Sequence, residues 1–317
     1  MSIPAVVDAI GIVGTALTTI GFLQSNWATS NPEGATVNIK AGLPEIDHEG
    51  DNLGGEINHV YAFDTRNGYS GQSDGCHIDS GGICTKTVDQ SVGGRRAGYI
   101  SVSNNNDATC IAWITVQQYD DTRGGAWTGD IRYGCGQDWY NSVEPAGRLK
   151  DEQGGGEYIP KCTWIDGDHT NDIANTALKF NVGAYGEDIL DTVGNDACAP
   201  TIYGADNGPI ADQPGKRNTR VRPTWMTNQL IVSNFTSQPA EELCNSATSW
   251  GPDFIGPDGR FCDMDSKTLA PLCSSQDVDG CIEVDQSEGK LVKRMNIARR
   301  ATSIVHKTYK KVSKWGH

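Results

Sequence analysis

The densest concentration of polar function in the chain lies in Cys162–Ile173, which reads CTWIDGDHTNDI. Asp166, Asp168, Asn171 and Asp172 there offer oxygen ligands to calcium, and His169 offers an acid–base group. An EF-hand loop would end on a glutamate that this segment lacks. The competing reading is an Asx-rich turn following a strand whose Trp164 is core. Asp277-Val278-Asp279-Gly280, with Glu283 beyond, is a second calcium candidate. Calcium is the one cofactor these residues point to.

Two serine motifs invite a nucleophile. Cys76–Cys84 (CHIDSGGIC) contains Asp79-Ser80-Gly81-Gly82, which looks like the nucleophile loop of trypsin-like proteases. In those enzymes the serine follows a histidine and an aspartate from well-separated segments, whereas only His48, His59 and His77 precede Ser80. A short hairpin closed by a Cys76–Cys84 disulfide is the better expectation. Gly71–Gly75 (GQSDG) satisfies GxSxG, but a cysteine hairpin follows it where a nucleophile elbow needs a helix. No catalytic residue is assigned.

Exposed aromatic faces stack on sugar rings, and Trp127, Trp139 and Tyr140, near turns, are the carbohydrate-binding candidates. The competing reading makes tryptophans core and edge cover. Asn234-Phe235-Thr236 is a sequon for N-glycosylation.

The chain ends carry a different chemistry. Residues 290–317 contain nine Lys or Arg and no Asp or Glu, against whole-chain totals of 26 basic and 40 acidic residues. Leu291, Met295, Ala298, Thr302, Val305, Tyr309 and Val312 follow 4-3-4-3 spacing, predicting an amphipathic helix over 286–317. Lys293, Arg294, Arg299, Arg300, Lys307, Lys310, Lys311 and Lys314 would form its cationic faces. That face suits an anionic membrane or a partner, at about 1 kcal/mol per Lys or Arg near an anionic surface; a solvated helix packed on the acidic body is the blander reading. Lys293-Arg294 also reads as a dibasic cleavage site that would release Met295–His317. Residues 3–24 are apolar apart from Asp8, predicting a helix over 1–30 that is an atypical signal peptide, a membrane segment or, preferred because the segment is retained, a buried or partner-packed helix.

The net charge of −14 argues against nucleic acid as a partner of the body. Cys76, Cys84, Cys110, Cys135, Cys162, Cys198, Cys244, Cys262, Cys273 and Cys281 are even in number and contain no CxxC, so disulfides fit better than zinc. Five precede residue 190 and five follow it, so full pairing requires a bridge across that point.

These groups need a scaffold, and the pattern predicts a mainly β one. Ala35–Ala41, Glu56–Asp64, Gly98–Ser103, Ala108–Gln118, Trp127–Tyr133 and Ala177–Val182 alternate or are rich in β-branched and aromatic residues. With 38 Gly and 13 Pro punctuating them, 31–185 reads as a β-sandwich or jelly-roll-like domain. Residues 186–285, rich in Pro and Cys, read as an irregular segment wrapping that sandwich and without a core of its own.

The runs Ala108–Val116, Ala126–Gly134 and Lys161–Ile173 resemble segments of secreted cysteine-rich proteins of filamentous fungi, over residues 55–185. The resemblance implies extracellular location and a β-fold, and it brings no activity and no functional residue. The expectation is a secreted, non-enzymatic, membrane-active or host-interacting protein of the toxin or effector type. A carbohydrate-binding or carbohydrate-processing protein is one alternative. A structural protein self-assembling through its terminal helices is another.

Overall fold

The computed structural model describes residues 23–44, 53–149, 156–170, 173–186, 188, 192, 198–210, 222–246, 248–285, 289–297 and 300–316, apart from the side chains of 132, 134, 295–297 and 300–305. The N-terminal helix expected over 1–30 lies, up to residue 22, outside the described residues, and Gln24–Asn26 form a single 3-10 turn. The chain divides into two compact units, Met1–Pro44 with His48–Arg220 and Glu45–Asp47 with Val221–His317.

In the first unit the strands are β1 (Thr36–Ala41), β2 (Gly55–Phe63), β3 (Tyr69–Ile78), β4 (Ile83–Thr87), β5 (Asp89–Gln90), β6 (Tyr99–Asn104) and β7 (Thr109–Gln117). They continue with β8 (Arg123–Thr128), β9 (Trp139–Tyr140), β10 (Gly147–Arg148), β11 (Glu157–Tyr158), β12 (Cys162–Ile165), β13 (Ala177–Asn181) and β14 (Thr201–Gly204). Two six-stranded antiparallel sheets result: β4-β1-β7-β12-β9 with β8 also on β7, and β14-β13-β6-β2-β3-β5. Period-2 alternation aims Val37, Ile39, Ile114 and Val116 from the first sheet and Val60, Ile100, Val102, Leu178 and Phe180 from the second into one core. Each such side chain contributes about 1.5–3 kcal/mol by leaving water. The mainly β expectation holds.

The opposite face of the first sheet is buried too, and there the chain must satisfy polar groups. Asn38 Nδ2 and Thr115 Oγ1 both donate to the Asn26 carbonyl, at 3.1 and 2.7 Å, and Asn26 Nδ2 donates to Ala146 O at 2.9 Å. Lys40 is paired with Glu144 at 2.6 Å and donates to Gly81 O. Residues 24–26 and 142–146 thus cover the sheet.

Trp127–Tyr133 departs from the strand expectation. The strand stops at Thr128, and Gly129–Gly134 form a short helix, α1. A Cβ at Gly129 would overlap the Lys161 carbonyl, and Asp130 in the first turn accepts from Tyr158 Oη at 2.7 Å. Close approach and a buried carboxylate override the local β pattern.

All ten cysteines pair: 76–84, 110–162, 135–198, 244–262 and 273–281. Cys76–Cys84 closes the β3–β4 hairpin as expected, and Cys135–Cys198 is the bridge that crosses residue 190. Cross-links spanning 52 and 63 residues remove roughly 4 kcal/mol each from the unfolded ensemble in the chain-entropy account. Five disulfides point to an oxidising, extracellular environment. Among the described residues no helix is long and apolar enough to cross a membrane.

The second unit adds β15 (Gln229–Ser233), β16 (Asp253–Ile255), β17 (Arg260–Asp263), β18 (Thr268–Pro271), β19 (Ile282–Asp285), β20 (Lys290–Ile297), β21 (Arg300–Thr308) and β22 (Lys311–Trp315). One sheet runs β18-β17-β16-β15-β22 and the other β19-β20-β21. Their core contains Leu230, Val232, Ile255, Phe261, Ile282, Leu291 and Tyr309. This corrects two expectations. Residues 186–285 do not lack a core: β14 joins a sheet of the first unit, and β15–β19 build a core that Leu291 and Tyr309 complete. The amphipathic helix over 286–317 is instead three strands. Val292, Ile297, Thr302, Ile304, Val305, Thr308 and Val312 are β-branched and stiff at χ1. The acidic β19 lies opposite β20, with Asp285 registered on Lys290, and β22 runs parallel to β15. Tertiary pairing wins over helical periodicity.

An ionic network ties these strands. Asp253 is fully buried; its Oδ1 accepts from Arg222 Nη1 at 2.9 Å and Met264 N at 2.8 Å. Its Oδ2 accepts from Lys307 Nζ at 2.9 Å and Tyr309 Oη at 2.6 Å. Lys307 also reaches Asp263 at 2.7 Å, and Arg222 reaches Asp265 at 2.6 Å. Burial works to raise Asp263, but Lys307 and two backbone N–H groups outweigh it and hold the carboxyl low. Arg222 likewise holds Asp265 low. Lys307 is opposed by burial yet raised by Asp253 and Asp263, and burial followed by Asp253 drives Tyr309 far up.

Two predictions follow from the signs. The lowered carboxyls contribute stability in full above the ordinary carboxylate range, and that stability is lost as pH falls through their depressed values. The raised Lys307 contributes in full below the ordinary lysine value, and its share is lost as pH rises through the raised one. Hydrogen exchange at β15 and β22 should therefore be slowest and pH-insensitive (after correction for intrinsic rates) across neutrality, accelerating in strong acid and strong base. Asp253→Ala removes the buried acceptor shared by Arg222, Lys307, Tyr309 and Met264 N and leaves the cations to Asp263 and Asp265. Denaturant unfolding of the second unit should then show a loss of about 3 kcal/mol.

Candidate functional site

Of the calcium ligands predicted in Cys162–Ile173, the structure describes two, Asp166 and Asp168. Asp166 is fully buried, and Asp168 Oδ1 accepts from Thr170 N at 3.0 Å and Thr170 Oγ1 at 2.8 Å, an Asx turn. Burial opposes ionisation of Asp168, and the Thr170 bonds outweigh it and hold its carboxyl low. His169 stands at φ 57°, with Nδ1 2.7 Å from Ile173 O and Nε2 3.2 Å from Ala205 O. Asn171 and Asp172 lie outside the described residues. In the second candidate, Asp277 and Glu283 pair with Arg294 at 2.7 and 3.5 Å. Among the described residues no group of three or more His, Cys, Asp or Glu is gathered as a metal site.

Ser80 is buried and accepts from the N–H groups of Leu53 and Gly54 at 3.0 and 3.2 Å, so it fixes a turn. Ser73 of the GxSxG string lies within β3, opposite Val60, rather than on an elbow. The carbohydrate candidates are a correction: Trp127, Trp139 and Tyr140 are 0%, 0% and 1% exposed. Trp127 pairs with Ile114 across the β7–β8 ladder, and Trp139 and Tyr140 form β9 against β12. Sheet interior, not turn, is where their area is buried.

The cationic residues of the C-terminal stretch are dispersed. Lys310 and Lys314 are exposed, Lys293 and Lys311 half-buried, and Arg294 and Lys307 engaged with carboxylates. Arg299 lies outside the described residues, as does the side chain of Arg300. The dibasic Lys293-Arg294 sits inside β20, hydrogen-bonded to strands on both sides, which is poor geometry for a protease.

A different constellation gathers at one end of the two sheets of the first unit. Thr65 in the β2–β3 turn, Arg96 and Tyr99 leading into β6, Thr122 and Arg123 on the β7–β8 hairpin, and Asn181 and Asp188 after β13 line a cavity of about 240 Å³. Backbone bonds lock these loops: Gly98 N to Phe63 O at 2.8 Å, Val182 N to Gly98 O at 2.9 Å and Gln118 N to Thr122 O at 2.8 Å. The buried Gln118 side chain makes both amide bonds to Ala97, Oε1 from its N–H and Nε2 to its carbonyl, each 3.0 Å. A Cβ at Gly125 would overlap the Val182 carbonyl, so only glycine lets the hairpin approach β13.

Each guanidinium at the rim is held by a separate device. Arg96 Nε donates to Asp120 at 2.9 Å, and Asp120 in turn accepts from Thr122 Oγ1 at 2.6 Å. The Thr122 bond first, and Arg96 with it, hold the Asp120 carboxyl low, so it stays ionised. Arg123 lies over the Trp27 ring at 5.0 Å and bonds Gln24. Tyr99 is half-buried, with the Lys179 ammonium 5.6 Å from its ring. Among the described residues Asp188 is the one carboxylate lining the cavity. The described lining offers a ligand donors and acceptors in fixed positions.

No family model matches the chain, and no curated protein matches it. The cleft therefore stands on its geometry alone. No local motif announces it, because its residues come from positions 65 to 188; the one signal was the recurrence of arginine (66, 95, 96, 123) in turns of an acidic chain.

Gln118 is the testable keystone. Gln118→Ala leaves the buried Ala97 N–H and C=O without that partner, at about 1–3 kcal/mol each. A thermal melt should show lowered stability, and hydrogen exchange should quicken first at Ala97 and Gly98.

Proposed function

We propose that this is a secreted, non-enzymatic carbohydrate-binding protein whose first unit takes an acidic sugar in the end cleft. The observation that carries the reading is the pair of guanidiniums, Arg96 and Arg123, each independently fixed at the rim of a polar cavity in a chain of net charge −14. Fixed cations suit a sugar carboxylate, since preorganised charge-assisted bonds lose little on binding. Asp188, Asn181, Thr65 and Thr122 offer the mixed acceptors and donors that hydroxyls require. At about 240 Å³ the cavity is below the usual ~300–1,000 Å³ of pockets enclosing a drug-sized ligand. One sugar ring inside, with its chain running into solvent, fits that size. The membrane-active reading rested on terminal helices, and its cationic one is strands with Arg294 and Lys307 already paired.

The test is calorimetric titration with a uronic-acid oligosaccharide and its neutral methyl ester. Saturable binding of the acid form is expected, weakened about 10- to 100-fold by Arg96→Ala or Arg123→Ala, the loss of one charge-assisted bond. Heat from neither sugar, or binding untouched by both substitutions, would remove the proposal.

A further inference from the structure

The second unit holds a larger and more apolar cavity, about 570 Å³, between its two sheets. Its floor is Val232, Ile255, Leu272, Ile282 and Val284, and the Arg294–Glu283 pair stands at its rim. Asn234, the sequon asparagine, is among its lining residues and is exposed, as is Thr236. The sequon sits on an ordered turn: Asn234 N donates to Trp315 O at 2.9 Å, Phe235 N to Ser233 Oγ at 3.2 Å and Gln238 N to Phe235 O at 2.9 Å. The backbone that carries the sequon is thereby held at the mouth of the cleft that Asn234 lines.

We infer that Asn234 is N-glycosylated and that the first sugars of this glycan lie over the cleft as its occupant. Asn234 Nδ2 would attack C1 of an oligosaccharide carried on a lipid pyrophosphate. The C1–N bond forms, the C1–O bond to the pyrophosphate breaks, and the amide gives up one proton. Five disulfides point to the oxidising compartment in which that donor is met. An N-acetylglucosamine ring offers a C–H face and an acetyl methyl to the partly buried Leu272 and Val284, and hydroxyls to the rim pair. Its attachment through Asn234 makes contact intramolecular, so weak stacking suffices. The glycan would shield the apolar edge that Leu272 and Val284 leave partly open over the buried Val232, Ile255 and Ile282.

The experiment uses the full chain secreted from a eukaryotic host. Peptide mass spectrometry should find glycan on Asn234, lost in both Asn234→Gln and Thr236→Ala; the second variant keeps the asparagine and guards against a folding artefact. Enzymatic removal of the glycan from folded protein should raise binding of an apolar fluorescent dye and quicken hydrogen exchange at Leu272 and Ile282–Val284. An unmodified Asn234 in secreted protein overturns the inference. A glycan whose removal changes neither dye binding nor exchange overturns its seat in the cleft. Sugar binding by the first unit is read separately and stands or falls without it.

Discussion

Every residue of β7 is buried, and the first unit is arranged around satisfying that one strand. A strand with no solvated face must find partners for each backbone group and cover for both rows of side chains. The first half of β7 pairs with β12 and the second with β8, while β1 runs along its other edge. The Cys110–Cys162 bridge reinforces the β7–β12 side. The polar row, Thr115 among it, is answered by Asn26 and the segments that follow from it. The hairpin leaving β7 then has no freedom in where it emerges, which is why Thr122 and Arg123 stand at a defined end of the sheets.

The second unit meets the same demand with charge. Its core is small, and β15 lies parallel to both neighbours, an arrangement that gives no hairpin to hold the register. Asp253, at the start of β16, collects Arg222 from before β15 and Lys307 and Tyr309 from the end of β21. A buried ion pair is a poor source of net stability, because desolvation offsets most of the attraction. Its use here is specificity: one carboxylate accepts from four donors on three segments, so a slip of the chain leading from β21 into β22 would leave Lys307 and Tyr309 without it.

What the residues revealed in advance follows from how local the cause was. β1, β2, β6, β7 and β13 were legible because alternation and β-branching act within a strand, and the 76–84 hairpin because its cysteines are close. The C-terminal stretch misled because its 4-3-4-3 stripe is not the period that packs: in β22, Ser313 and Trp315, outside that stripe, are buried while Lys314 is exposed, a period of 2. Periodicity cannot choose when the acids of β19 and the edge of β15 lie far away in sequence. Trp127 and Trp139 misled for a related reason. Proximity to a turn in sequence says nothing about which sheet covers an indole. The cleft was the least legible feature, since four loops must first be folded to make it.

The proposed ligand chemistry also has to survive the chain's own charge. A net −14 repels any anion at long range, yet at physiological salt the Debye length is about 8 Å. Inside that distance the outcome is set locally, by Arg96 with its Asp120 partner and by Arg123 over the Trp27 ring. A long polyanion gains no such relief. It must lie across surface well beyond the cleft, where each further phosphate or sulfate meets unscreened acidic neighbours and releases few counterions in return. In the proposed reading, two fixed cations supply the attraction for a short acidic sugar, and the distributed acids work against a long polyanion.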